Sequence, residues 1–476
     1  MDMFVAGEWV GAASGDTFDA ESPATGEPIG RVPQGDRADA RRAIEAANRA
    51  ADGWTRTTAF ERATVMHRIG DEIERRRDEL AHTLTLDQGK PLRAEAFDEV
   101  DELVAYWRMA AEDAKRLEGR LANSFSPGKR VLLVRRPRGV IGVITPWNWP
   151  YTMPAELIAP ALACGNTVVW TPASTTAVAA IALAECISSA DMPPGVFNLV
   201  TGPGAVVGDE IARNPGTHGI GFIGSTSTGR KVAEAGAGKA LVLELGGNGP
   251  VVVLEDADLD AAAEATVTAC FLCAGQSCTA GERLLVHRDV REEFVARLAR
   301  LVTERVVLGD PFADSTTLGP LNNDSVAAKM DEHVADAVDR GATLVTGGKR
   351  AEGFPTDLYW QATILDGVLP ESLVAQEETF GPVAPVVAID SLDQAVELAN
   401  ASPYGLLAAI FTGDLARGLE FADRVRTGWV NVNESSNYWE AHLPFGGRAG
   451  TASGIGRVGG NAPMESFTEL QTVVLS

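Results

Sequence analysis

From Gly139 onward the sequence settles into a rhythm of short apolar runs, each ended by turn residues and followed by an Ala-rich stretch of helical spacing. The runs are GVIGVIT, NTVVWT, VFNLVTG, IGFIG and ALVLELGG; after Gly247 a second series follows, with PVVVL, RLLVHR, TLVTGG, PVVAI, LAAIF and GWVNV. Strands that are apolar throughout, rather than alternating, are buried on both faces, and intervening helices supply the cover. Such a rhythm dictates parallel, doubly wound sheets. Two α/β lobes with a cleft between them are predicted, and a chain of 476 residues has the apolar material for both cores.

The flanks differ in kind. MFVAGEWVGA alternates and turns at Gly7-Glu8, a hairpin signal. Between Asp36 and Gly119 the spacing is helical, and charge runs such as Arg75-Arg76-Arg77 read as solvated helix faces, not binding patches. A polar stretch, ANSFSPGKR, leads into VLLVRR, and the tail SFTELQTVVLS is also strand-like. Both resemble exposed sheet edges, which some partner surface must cover.

Charge narrows the function classes. There are 41 Lys+Arg against 65 Asp+Glu, a net charge of −24. A surface this negative repels phosphate backbones and anionic lipid headgroups, so no nucleic-acid or membrane role is expected. No window approaches the roughly 18 apolar residues of a membrane span, and MDMFVAGEWV lacks the features of a signal peptide. Five cysteines, three of them between Cys270 and Cys278, make no disulfide framework and point to a reducing cytoplasm. Lysine is scarce: Lys90, Lys115, Lys129, Lys231, Lys239, Lys329 and Lys349 are all there are.

Two strand-to-helix turns are rich in glycine. VFNLV runs into Gly202-Pro203-Gly204 and on to Gly208, and GIGFI runs into Gly224-Ser225 and on to Gly229. Free N–H groups at such helix starts favour a pyrophosphate. The literal GxGxxG at Gly454–Gly459 follows no strand and reads as loop. In Cys270-x2-Cys273-x4-Cys278 a zinc site lacks its fourth ligand, since the nearest histidine, His287, follows an apolar strand; no metal is expected. The other reading is a nucleophilic thiol at Cys278, flanked by small residues in AGQSCTA. A lone cysteine is ordinarily an inert buried thiol. Here Glu244 ends one strand with a carboxylate, and Asn148, in Pro146–Pro150, ends another with an amide, which together make a working set.

The ordered motifs PWNWP (146–150), GNTVVWTPAS (165–174), GVFNLVTGPG (195–204), FIGSTSTG (222–229), LELGG (243–247), GQSC (275–278), EETFGPV (377–383) and PFGG (444–447) resemble the NAD(P)-dependent aldehyde dehydrogenase superfamily nearly end to end. The resemblance implies a Rossmann-like cofactor domain (1–120 and 140–246), an α/β catalytic domain (247–450) and a small β flap for oligomerisation (121–139 and 451–476), in a homodimer or homotetramer. It implies Cys278 as nucleophile, Glu244 as the base that activates water, and Asn148 with the Cys278 N–H as oxyanion donors. For the cofactor it implies Ile144, Thr145, Trp147, Thr171, Ser174, Gly204, Gly208, Gly224, Ser225, Gly229, Leu245, Glu378 and Phe380, with Glu378 on the nicotinamide ribose. For an aldehyde substrate it implies Trp149, Met153 and Glu156 on one wall, Ser277 and Thr279 beside the nucleophile, and Tyr438 and Trp439 on the opposing loop.

Departures from the family pattern bear on specificity. Thr171 stands where a lysine is usual and Ser174 where a glutamate often repels a 2′-phosphate; these act oppositely, and the balance falls on NAD, with NADP admissible. Cys273 stands where Asn is common, and a disulfide with Cys278 on mild oxidation is expected. After PFGG the segment RAGTASG is two residues longer than usual, which points to a remodelled loop near the substrate mouth. Aromatic rings and glutamates at Trp149, Glu156 and Glu434–Glu440 suit a cationic aldehyde; alternatively these glutamates are solvated rim residues. A CoA-acylating semialdehyde dehydrogenase, and an inactive structural protein on the same fold, are the alternatives weighed.

Overall fold

The computed structural model describes residues 1–476. Its main sheet runs, edge to edge, Gly454–Ile455, Ala240–Glu244, Gly219–Ile223, Val140–Ile144, Thr167–Thr171, Phe197–Leu199, Met3–Val5 and Glu8–Val10. The five central strands are parallel, and both edges are closed by antiparallel additions. Strand order reverses between Val140–Ile144 and Gly219–Ile223. At such a switch point the helices on either side diverge and leave a crevice beyond the carboxyl ends of the strands. Thr145–Trp149 and Gly224-Ser225 lie there.

The second sheet is Thr343–Thr346, Thr363–Asp366, Val383–Ile389, Gly281–His287, Gly249–Val253, Leu407–Phe411 and Trp429–Val432. Its strands show why the apolar runs are continuous. Val251, Val253, Leu284 and Val286 join one core, and Val252, Leu254 and Leu285 join the core on the other face. With a side-chain period of two, a strand buried on both sides sends successive apolar residues into opposite cores.

The third sheet pairs Thr468–Leu475 with Arg130–Pro137, which pairs with Arg120–Ala122. It exposes Leu121, Leu470, Val474 and Leu475. This flap is narrower than expected. Residues 451–467 do not belong to it: Gly454–Ile455 pairs with Leu243 and Glu244, and Met464 and Phe467 are fully buried in the core of the first lobe. Two further differences are local. The opening hairpin turns at Ala6-Gly7, one residue earlier than read, and a second hairpin, Thr17–Glu21 with Pro28–Pro33, was not anticipated.

Four helices, Arg37–Thr55, Ala59–Arg75, Arg77–Gln88 and Phe97–Arg116, fill the stretch read as helical. Asp36 and Thr58 close capping boxes with Asp39 and Glu61, satisfying helix-start N–H groups that have no partner within the helix. The helix Phe97–Arg116 buries Val100, Leu103, Trp107 and Ala111 against the first lobe. Its Glu99 and Tyr106 point to the site described next.

Candidate active site

Two cavities meet beyond the strand ends, and Glu244 and Cys278 line both. Glu244 is the last residue of its strand. Cys278 sits on the loop that precedes Gly281–His287. The close approach of these loops requires glycine, because a Cβ on Gly247 would lie 2.1 Å from the Cys278 carbonyl oxygen.

The loop before Cys278 is strained. Cys273 and Ala274 hold φ of 53° and 54°, followed by Gly275 at 70°. A non-glycine residue in that region costs roughly 1–2 kcal/mol, so the surroundings must hold it. They do: the Cys273 N–H donates to Glu95 Oε1 (3.0 Å), and Gln276 Nε2 donates to the Cys273 carbonyl (2.9 Å). The Gln276 side-chain oxygen accepts from the Asn322 N–H at 2.8 Å. Asn148 Nδ2 donates to the Gln276 carbonyl at 2.9 Å, which fixes the amide and leaves its second proton free. The Cys278 N–H donates to no protein group.

Burial, and then the neighbouring Glu244 carboxylate, push the Cys278 thiol well above its ordinary range. Burial likewise raises Glu244 to about 8, and one of its oxygens is buried without a partner. A thiol holding its proton beside a carboxylate that takes protons near neutral pH is a donor–acceptor pair. Cys273 differs: it lines neither cavity, its thiol donates to the Asn148 carbonyl (3.5 Å), and it accepts from Gln88 Nε2 (3.6 Å). Its sulfur serves the brace behind Asn148. Cys270 is packed in the apolar core of the second lobe.

The first cavity is lined by Trp149, Met153, Glu156, Ser277, Thr279 and Trp439 as expected, and also by Tyr106, Thr152, Glu440, Leu443 and Phe445. Tyr438 departs from expectation. It is 44% exposed, and its hydroxyl donates to Glu440 while its neighbour Trp439 turns inward. Glu434 is also outside, capping its own loop at the Ser435 N–H. The loop lengthened after PFGG lies elsewhere than expected: Thr226 Oγ1 donates to Ala452 O and Leu245 N to Ser453 O, so it flanks the edge of the main sheet, away from the Trp149 and Trp439 side of the first cavity.

The second cavity gathers Trp147, Asn148, Gly224, Ser225, Leu245, Glu378 and Phe380. Glu378 accepts from the Gly247 N–H at 2.8 Å, and the Trp147 and Phe380 rings meet edge-on at 5.6 Å. Lys329 was not foreseen; it lines this cavity and donates to the Glu378 carbonyl at 3.1 Å. Ile144, Thr145, Thr171, Ser174, Gly204 and Gly208 lie apart from both cavities. A Cβ on Gly208 would fall 3.6 Å from Ile144 and 3.8 Å from Thr171, so these three cluster at adjoining strand ends. Thr145 accepts from Trp170 Nε1, and Ser174 donates to the Gly202 carbonyl. Gly229 is needed for packing, since a Cβ would lie 2.3 Å from Leu245.

Also unforeseen is the charged brace behind the site. Lys90 and Glu99 form a fully buried ion pair at 2.6 Å, Glu99 accepts from the Tyr151 and Thr152 N–H groups, and the Lys90 ammonium lies 3.7 Å from the Trp149 ring centroid. The sequence held a signal: Lys90 is one of few lysines and sits between Gly89 and Pro91, off any helix face.

The profile of the Aldehyde dehydrogenase family matches residues 9–473. Escherichia coli "Succinate-semialdehyde dehydrogenase [NADP(+)] GabD" is 39% identical over 467 residues, 98% of this chain and 95% of that protein. The Pseudomonas aeruginosa "Glutarate-semialdehyde dehydrogenase" is 40% identical over 475 residues, 99% of this chain and 97% of that protein. The crystal structure of the succinate-semialdehyde dehydrogenase from Burkholderia pseudomallei superposes with a TM-score of 0.97 at 38% identity, covering 100% of this chain and 97% of that one. Matched along nearly its whole length in sequence and in fold, the chain belongs to the aldehyde dehydrogenase family and is an NAD(P)-dependent oxidoreductase that converts aldehydes to carboxylic acids.

Proposed function

We propose that Cys278 is the nucleophile, Glu244 the base, and Asn148 with the Cys278 N–H the oxyanion donors of a hydrolytic aldehyde dehydrogenase. The observation that carries this is the position of the thiol and the carboxylate at the seam of two unlike cavities, one aromatic and acidic, the other bordered by Gly224, Ser225, Gly246, Lys329 and Glu378.

A nicotinamide nucleotide fits the second cavity and the strand ends beyond it on three counts. The cavity opens at the reversal of strand order. Gly246 leaves room beside the Glu378 carboxylate, where a Cβ would sit 2.8 Å from an oxygen. Thr171 keeps a buried hydroxyl without a partner next to Gly208. Glu378 would then hold ribose hydroxyls, Trp147 and Phe380 the walls, Gly224 and Ser225 the pyrophosphate side, and the Ile144, Thr171, Ser174, Gly208 group the adenosine end. When bound, this group accepts the hydride.

The chain's own residues do the rest. The Cys278 proton passes to Glu244, and the sulfur attacks the aldehyde carbon. The charge that develops on oxygen is met by the free Asn148 Nδ2 proton and the Cys278 N–H. Once the carbon has lost its hydride, an acyl group is left on sulfur. Glu244, having released that first proton to solvent, takes one from water as it attacks the acyl carbon; the carbon–sulfur bond breaks, the acid leaves, and Glu244 returns the proton to the Cys278 sulfur. A carboxylate buried against the sulfur favours water over CoA as acceptor, and the similar proteins give no support to CoA acylation. The flap, with its exposed leucines and valines, supports a homodimer or homotetramer, and five free cysteines support a reducing cytoplasm.

Intact-mass spectrometry during turnover tests the assignment. Glu244→Gln should accumulate an acyl adduct on Cys278 with turnover reduced about 10²–10⁴-fold. Cys278→Ala should show neither adduct nor activity. Full activity in Cys278→Ala would overturn it.

A further inference from the structure

The substrate cavity carries three carboxylates, from Glu156, Glu244 and Glu440, and no lysine, arginine or histidine lines it. Glu244 belongs to the chemistry; Glu156 does not. It projects from the helix Thr152–Ala163 into the cavity wall, where the Tyr106 hydroxyl donates to one of its oxygens at 2.5 Å. It is not a rim residue, so solvation does not account for it. A carboxyl taken out of water without a cation beside it keeps its proton, and becomes a carboxylate when a ligand supplies the positive charge.

The two indoles of the cavity are not equivalent. Trp149 and Trp439 meet edge-to-face at 5.5 Å. The Lys90 ammonium already lies 3.7 Å from the Trp149 ring centroid, and Lys90 is buried outside the cavity. With a cation on one face, Trp149 is a poor acceptor for a second. Trp439 instead donates its indole N–H to Glu102 at 2.8 Å, which leaves its ring electron-rich toward the cavity. Glu440, at the exposed mouth, adds a second negative group on the same loop.

Resting on the aldehyde dehydrogenase reading above, we infer that this cavity selects aldehydes bearing a positive charge, an ammonium or quaternary ammonium group, with Glu156 as the counter-ion and the Trp439 ring as the cation–π face. A carboxylate- or sulfonate-bearing aldehyde would meet Glu156 and Glu440 with no cation to hold it. Burial raises Glu156 to about 8, and a cationic group arriving beside it draws the carboxyl toward its charged form.

The test uses three aldehydes that differ chiefly in charge: trimethylammonioacetaldehyde, its uncharged isostere 3,3-dimethylbutanal, and the anionic 4-oxobutanoate. Steady-state kcat/KM is read from reduced cofactor. The cation should exceed the uncharged isostere by roughly tenfold or more, a contribution in the range of a desolvated cation–π contact aided by a counter-ion. The anion should be the poorest. Glu156→Gln and Trp439→Phe, both close in shape to the native residues, should each shrink the cation-to-neutral ratio, mainly through KM. Glu434→Gln, whose carboxylate caps its own loop outside the cavity, should keep the native ratio. A native ratio near one, or a preference for the anion, overturns the inference while leaving the dehydrogenase intact. Failure to oxidise any of the three, or wider uncharged aldehydes, would instead overturn the reading on which it rests.

Discussion

Replacing Lys90 by methionine is a direct probe of the charged brace behind Trp149. Lys90 and Glu99 are both fully buried and 2.6 Å apart. Burial alone would lower the Lys90 pKa, but Cys273, Glu99 and Glu95 outweigh it and hold the ammonium at about 12, so it is charged throughout the working range. At an effective dielectric near 20, opposite unit charges about 3 Å apart attract by roughly 5 kcal/mol. Removing one member of a buried pair costs about 3–5 kcal/mol, because the other charge stays behind. Lys90→Met should therefore destabilise the protein by about 3–5 kcal/mol. It also frees Glu99, which holds the Tyr151 and Thr152 N–H groups two and three residues after Trp149. Adding Glu99→Gln removes the orphaned charge and should recover part of the loss, with a coupling of about 2 kcal/mol or more. Urea unfolding followed by tryptophan fluorescence, read as midpoints at unchanged slope, measures each corner of the cycle. A single-variant cost below about 1 kcal/mol, or costs that simply add, would refute the claim that this pair organises the site.

Further outcomes follow from the same geometry. A base must be deprotonated to act, so with Glu244 raised by burial to about 8, acyl-enzyme hydrolysis should climb as pH rises through that value; Glu244→Gln should lose the limb in single-turnover profiles. Ser174→Glu should place a carboxylate at the adenosine end and weaken NADP relative to NAD by about tenfold, read as Kd from the fluorescence of the reduced cofactors. Leu470→Asp with Val474→Asp charges the open face of the flap and should lower the oligomeric state seen by light scattering, whereas unchanged mass would reject the flap as an interface.

The legible parts of the molecule were those written locally. Runs such as VVWT and PVVVL gave the strands because both their faces are buried. Glu244 is legible as the carboxylate that ends a strand, Cys278 as a thiol in a loop of small residues, and Asn148 as an amide in the segment that follows a strand. Thr363–Asp366 and the Thr17–Glu21 hairpin were missed; they are short and carry charge or border proline, and their pairing is decided by tertiary neighbours. Lys90, Glu95, Glu99 and Tyr106 were missed for a different reason. They lie in or between the helices of the stretch read as helical, where Asp39 and Asp87 are buried as well, and periodicity does not reveal which polar side chain turns inward. Tyr438 and Trp439 were both placed on the cavity wall, but adjacent loop residues point to different sides and no repeat says which.

The two-residue strand Gly454–Ile455 has a consequence for how the chain can be divided. The polypeptide leaves the first lobe after Glu244, builds the second, and returns to lay this strand along Leu243 and Glu244. It acts as a clasp: the strand that ends in Glu244 is an interior strand only because the far end of the chain comes back to it. A fragment holding the first lobe alone would carry a bare parallel edge beside Glu244, a template for pairing with other chains. The lobes are thus not interchangeable modules, and exchanging them between relatives requires that the clasp travel with the sheet it closes.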